Sequence, residues 1–195
     1  SRDHENNQEV IFDVQYLYPT FVHSGDGLDV ILRQFNTIAP TLDLVKSYDM
    51  KDGSSYTDGK DLYTDRDPRF YATILYSGAD WMDNKGRKRI YNTLDRNING
   101  EPNKDHRLDS RNASQTSYSI CKYMKPLTQY SDINNTGLDM IVFRYAEILL
   151  SKAEAMIEKN TDLSGATDLI DLIRERAGMP KVDRAKYNTQ AKLRE

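Results

Sequence analysis

Three kinds of side chain in this sequence could do chemistry: carboxylates, scattered histidines, and aromatic rings set among polar residues. In Asp65-Arg66-Asp67-Pro68-Arg69 two carboxylates stand two residues apart, a spacing that could share a Ca²⁺ between hard oxygen ligands. The same alternation of Asp and Arg also makes a local ion-pair network that holds a loop, with Asp67 kept extended by the proline after it. We take that structural role for Arg66, Asp67, Pro68, Arg69 and Phe70. Asp49, Asp52, Asp58 and Asp61, interspersed with Gly53 and Gly59, do not follow the spacing of a calcium loop. They read as turn formers, with Ca²⁺ as the one cofactor left open. His4, His23 and His106 have no partner at metal-binding spacing, no serine sits in a Gly-x-Ser-x-Gly elbow, and no glycine loop is built to cradle phosphate. A pair of acids for glycoside hydrolysis stays open, because such pairs meet only in the fold.

The aromatic residues offer a different chemistry. Trp81 follows a predicted strand within Ser77-Gly-Ala-Asp-Trp-Met-Asp-Asn-Lys-Gly86, a polar and turn-rich setting. An indole there presents its face to the apolar C–H face of a pyranose, while Asp80, Asn84 and Arg87 hydrogen-bond the hydroxyls. Tyr56 and Tyr63, in the preceding loop, extend the candidate set. The alternative for Trp81 is a packing anchor for its loop. Tyr71, Phe143 and Tyr145 fall on predicted core-facing positions and are assigned to packing.

These residues must be positioned by the elements around them. Residues 9–18 read as a strand, Leu42 to Tyr48 as a short amphipathic helix opened by Pro40-Thr41, and 49–67 as loop. Phe70 to Tyr76 reads as a strand, 83–115 as a long polar stretch without regular structure, and Tyr118 to Met124 as a short strand. Apolar residues at helical spacing predict a helix from Met140 to Lys159 and a second from about Ala166 to Ala177, closed by Gly178 and Pro180. Two such helices make a hairpin that needs a neighbour to cover it. The good N-cap and helix formers of residues 189–195 predict the start of a third, truncated helix.

Composition narrows the possibilities further. The 195 residues carry 27 Lys plus Arg and 30 Asp plus Glu, a net charge of −3, so no positive field argues for nucleic acid. That balance agrees with a neutral sugar as ligand. The single cysteine, Cys121, excludes an intrachain disulfide and a multi-cysteine metal site. No apolar run approaches the roughly 20 residues of a membrane span.

Several segments together resemble a known family. Pro40-Thr-Leu-Asp-Leu-Val-Lys-Ser-Tyr-Asp-Met-Lys-Asp-Gly53, Asp65-Arg-Asp-Pro-Arg-Phe-Tyr-Ala-Thr-Ile-Leu-Tyr76, Phe143-Arg-Tyr-Ala-Glu-Ile-Leu-Leu150 with Ala153-Glu-Ala155, and Ile173-Arg-Glu-Arg-Ala-Gly-Met-Pro180 are similar, in order and spacing, to the signatures of the SusD/RagB family. The resemblance implies a mostly α fold, a tetratricopeptide-like (TPR-like) helical scaffold with a loop-rich region carrying a few short β-strands. Residues 1–138 would be the loop-rich ligand-binding region, and 139–195 the helical hairpin with the start of a truncated helix. It implies non-catalytic capture of an oligosaccharide or polysaccharide, or in some members a peptide, for a partner SusC-like TonB-dependent transporter at the outer membrane, through a lipid anchor absent from this chain. Family members vary in their ligand residues, so none of the candidates above is carried over by motif. A glycoside hydrolase or a protein-binding helical scaffold are the alternative functions.

Overall fold

Helix–helix packing organises the last third of the chain. In the computed structural model, which describes residues 7–17, 19–24, 38–82, 87–103, 105–106, 113–122, 135–137 and 139–194, helix α3 spans Tyr145–Glu158 and helix α4 spans Leu163–Arg176. Ala153 and Ala166 let the two approach closely, and Ile157 completes a buried cluster flanked by Met156, Leu163, Leu169 and Ile170. Between them Asn160 takes a positive φ, and Asp162 caps α4 by accepting from the Gly165 N–H at 2.9 Å. At the other end of α4 the Gly178 N–H donates to the Glu175 carbonyl and the Met179 N–H to that of Arg174, with Gly178 at φ +75°. This is a Schellman closure, and it explains the glycine. Helix α5, Gln190–Leu193, starts at Thr189, whose hydroxyl accepts from the Lys192 N–H. The predicted third helix therefore begins where expected. Leu193 packs on the α3–α4 cluster, and the Gln190 amide donates to the last carbonyls of α3.

The predicted helix from Met140 is shorter at its start. Met140–Arg144 is strand β10, paired antiparallel with β1, Val10–Val14. Ile141, Val142 and Phe143 are β-formers, and the Glu9 carbonyl accepts the Tyr145 N–H at 2.7 Å where strand turns into helix. Phe143 is half-buried, but Tyr145 is 49% exposed, so its assignment to the core is corrected.

The chain divides into two compact units. One comprises residues 1–2, 15–47 and 70–138; the other comprises 3–14, 48–69 and 139–195, which contains the helices just described. In the first unit, helix α1, Leu42–Ser47, is capped by Thr41 and buries Val45, whereas Leu42 and Leu44 are exposed. Helix α2, Pro68–Thr73, stands where a strand was predicted; only Ile74–Leu75, strand β3, is extended, pairing with β8, Ser119–Ile120. An Asp-Pro pair at a helix start outweighs the β propensity of the residues after it. The α2 register buries Phe70 completely and leaves Tyr71 41% exposed, which corrects its assignment to packing.

The remaining strands are short hairpins. β2, His23–Ser24, pairs with β9, Asn135–Thr136, and β4, Asp80–Met82, pairs with β5, Lys88–Ile90. β6, Asn97–Ile98, and β7, Glu101–Pro102, flank Asn99 and Gly100, both at positive φ. An Asn-Gly pair is the strongest two-residue hairpin signal, and it breaks the stretch that had been read as unstructured. Of the predicted strand 118–124, residues beyond 122 lie outside the described residues. Among the described residues no helix is long and apolar enough to cross a membrane.

Candidate functional site

Trp81 lies in β4, directly across from Arg89 in β5. Side chains alternate faces along a strand, and here the alternation is clean. Trp81 and Arg89 are half-buried and Tyr91, of the same parity, is buried; Asp80, Lys88 and Ile90 are exposed on the other face. Trp81 and Asp80 are therefore neighbours in sequence but belong to opposite faces. Arg87 is exposed just before β5, and Asn84 lies outside the described residues.

Three contacts support the Trp81 face. The Arg89 guanidinium donates to both oxygens of Asp105, through Nη1 to Oδ2 and through Nη2 to Oδ1 at 3.1 Å. It also lies 5.9 Å from the centroid of the Tyr91 ring. The Tyr91 hydroxyl shares a 2.8 Å hydrogen bond with Ser119 Oγ, and its burial pushes the phenol pKa above the ordinary value. The Tyr91 ring and the Arg89 guanidinium are thus each held by partners. Arg89, Tyr91 and Asp105 were not singled out from the sequence. Their alternation with Trp81 across the hairpin is the signal that could have found the first two.

Tyr56 and Tyr63 belong to the other unit, in the segment 48–69. Arg66 lies over the Tyr56 ring at 4.7 Å, and the Tyr56 hydroxyl donates to the Lys60 carbonyl at 3.2 Å. Tyr63 is half-buried, with its N–H donating to Asp61 Oδ1 at 2.8 Å.

The Arg66–Phe70 segment is a dense local network. Arg66 is completely buried and donates to the carbonyls of Leu62 and Tyr48 at 2.5 and 2.6 Å. Asp67 caps α2, accepting from the Arg69 N–H at 2.8 Å, and the Arg69 guanidinium closes back on the same carboxylate. Burial opposes ionisation of Asp67, but the Arg69 hydrogen bonds and the charges of Arg69 and Arg174 outweigh it and hold the pKa below the ordinary 3.8. Pro68 occupies the first helical position, where its missing N–H has no partner to lose.

The same network gathers three of the sequence segments singled out above. Asp67 N–H donates to the Asp49 carbonyl at 2.9 Å, Asp49 faces Arg174 at 3.4 Å, and Arg174 Nε donates to the Pro180 carbonyl at 2.7 Å. Gly53, at φ +84°, sits so close to Pro180 that a Cβ would lie 2.9 Å from its Cγ.

The acidic residues of 49–61 are engaged as turn formers. Asp52 accepts from the Ser54 hydroxyl and N–H, and Asp61 from the N–H groups of Tyr63 and Thr64; these bonds lower both carboxyl pKa values. Among the described residues no three His, Cys, Asp or Glu side chains converge as a metal site. A recess of about 190 Å³ lies between α4 and the segment before α5, lined by Leu163, Ser164, Thr167, Arg184, Tyr187 and Asn188. It contains none of the residues predicted from sequence.

Comparison with known proteins places this geometry in a family. The sequence profile of the SusD family matches residues 3–195. Among solved structures, a SusD-like protein from Bacteroides fragilis NCTC 9343 is 27% identical with a TM-score of 0.70, covering 100% of this chain and 40% of its own. A SusD-like carbohydrate binding protein from the same organism is 29% identical with a TM-score of 0.74, covering 96% of this chain and 37% of its own. The chain thus spans about two-fifths of the length of these relatives. No curated protein sequence matches it.

Proposed function

The chain belongs to the SusD family, and from that premise we propose that it is a non-catalytic glycan-binding module acting at the outer cell surface. The observation that carries this reading is the likeness, over 96% of the chain, to a solved SusD-like carbohydrate binding protein. Trp81 is the stacking platform, with Arg87 hydrogen-bonding sugar hydroxyls beside it. Of the other sequence candidates, Asp80 lies on the hairpin face opposite Trp81, Tyr56 and Tyr63 belong to the other unit, and Asn84 lies outside the described residues. Arg66, Asp67, Pro68, Arg69 and Phe70 have a structural role, shaping the 48–69 loop and the start of α2. Binding rests on ring stacking and a few hydrogen bonds, which is strong enough to hold cargo and weak enough to release it.

In the same reading, residues 1–138 carry the ligand-binding region and 139–195 form TPR-like helical support. The cargo is an oligosaccharide or polysaccharide handed to a SusC-like TonB-dependent transporter at the outer membrane.

The test is a glycan titration of the wild type and of Trp81→Ala, with reducing ends assayed in parallel. An aromatic anchor of about 1.4 kcal/mol corresponds to a tenfold loss of affinity in the variant. Unchanged affinity in a variant of unchanged thermal midpoint would remove Trp81 as the platform. Release of reducing ends would instead support the hydrolase reading.

A further inference from the structure

The net charge of −3 describes the chain as a whole, but the hairpin that carries Trp81 is locally basic. Across positions 79–91 four basic residues, Lys85, Arg87, Lys88 and Arg89, stand against two acidic ones, Asp80 and Asp83. Arg87 and Lys88 are exposed. Arg89 stands directly across from Trp81, and its side chain is 33% exposed against 16% for Asp105, so the cation is the more open member of that pair. Asp105 engages one N–H on each terminal nitrogen of the guanidinium. A guanidinium has five N–H donors, so three are not used by Asp105. Asp80, the acidic neighbour in sequence, is on the face opposite Trp81.

From this arrangement we propose that the glycan bound at the Trp81 hairpin is anionic, carrying uronate carboxylates or sulfate esters. The inference rests on the glycan-binding reading above and deepens it. Trp81 stacks on the sugar ring, while Arg89, oriented by Asp105, directs its remaining donors to the anionic substituent. Arginine suits this role because its planar fork matches carboxylate and sulfate oxygens. Arg87, exposed just before β5, adds attraction that weakens with salt.

The experiment is native affinity electrophoresis of the chain in gels containing polygalacturonate, chondroitin sulfate or dextran, at low and high NaCl. Retardation by polygalacturonate or chondroitin sulfate but not by dextran, reduced at high salt, is expected. Polygalacturonate alone would identify recognition of a uronate carboxylate, and chondroitin sulfate alone would identify preference for a sulfated, glucuronate-containing chain. The variant Arg87→Gln should weaken retention several-fold. Arg89→Lys, which keeps the charge but loses the fork, should also weaken it with the fold intact by circular dichroism. Retardation by dextran alone, salt-insensitive retention, or unchanged retention of these variants overturns the inference and leaves glycan binding standing. No retardation in any gel, by a folded chain, overturns both.

Discussion

Asp67 concentrates the physics of its motif in one carboxylate: it is buried, caps α2, and is clasped by Arg69. Its pKa lies below 3.8, so its ionised form favours the folded state. That contribution is complete above the ordinary carboxylate range and is lost as pH falls through the depressed folded-state value. Asp67→Ala removes the cap and leaves Arg69 without its partner, so chemical denaturation at pH 7 should show a loss of about 2–4 kcal/mol. Asp67→Asn should flatten part of the acid limb of the stability curve. Cys121 makes a separate prediction, since burial pushes its thiol up to about 11. At pH 8 iodoacetamide should label it roughly a hundredfold more slowly than an unfolded cysteine with a pKa of about 8.5. Labelling at the unfolded rate in native buffer would contradict the burial. At this scale the sequence disclosed residue chemistry but not surroundings. Trp81 was identifiable as an aromatic in a polar setting; Arg89 joins its face only once β4 and β5 are paired, and Asp105 then reaches Arg89 from outside the hairpin.

Among the elements, local signals were legible wherever a cap or a helical period governed. Thr189, Gly178 and the helical spacing of apolar residues from Met140 to Ala177 announced α5, the end of α4 and the pairing of α3 with α4. They failed where a short element depended on a distant partner. Met140–Arg144 has a composition that serves helix or strand equally, and pairing with β1 decides it. Phe70 to Thr73 looks extended, yet Asp67 and Pro68 start a helix through it. Asn99-Gly100 was a readable hairpin signal that the polar composition around it obscured. The approach of the 48–54 turn to the end of α4 is equally nonlocal, and it carries its own prediction. Gly53→Ala places a Cβ against Pro180 at a positive φ, so its thermal unfolding should show a stability loss of about 1–3 kcal/mol. A wild-type midpoint would mean that this close approach does not constrain the turn.

For the molecule as a whole, composition excluded more than it identified. A net charge of −3 gave no reason to propose nucleic acid, but as an average over 195 residues it concealed the basic hairpin beside Trp81. Family membership was legible because four segments recur in order, and contacts among three of them give a reason for their residue types: Gly53, Asp67 and Arg174 each answer to a neighbour distant in sequence. The ligand residues carried no such signature, since a surface platform needs only a ring, a donor and room. The chain spans about two-fifths of its solved relatives, so the proposal is tested on the region it contains. The most direct measurement is the mobility of the folded chain in native gels with and without polysaccharide. The account predicts retardation in at least one glycan gel, abolished or strongly reduced by Trp81→Ala; unaltered mobility of the wild type in every glycan gel would contradict it.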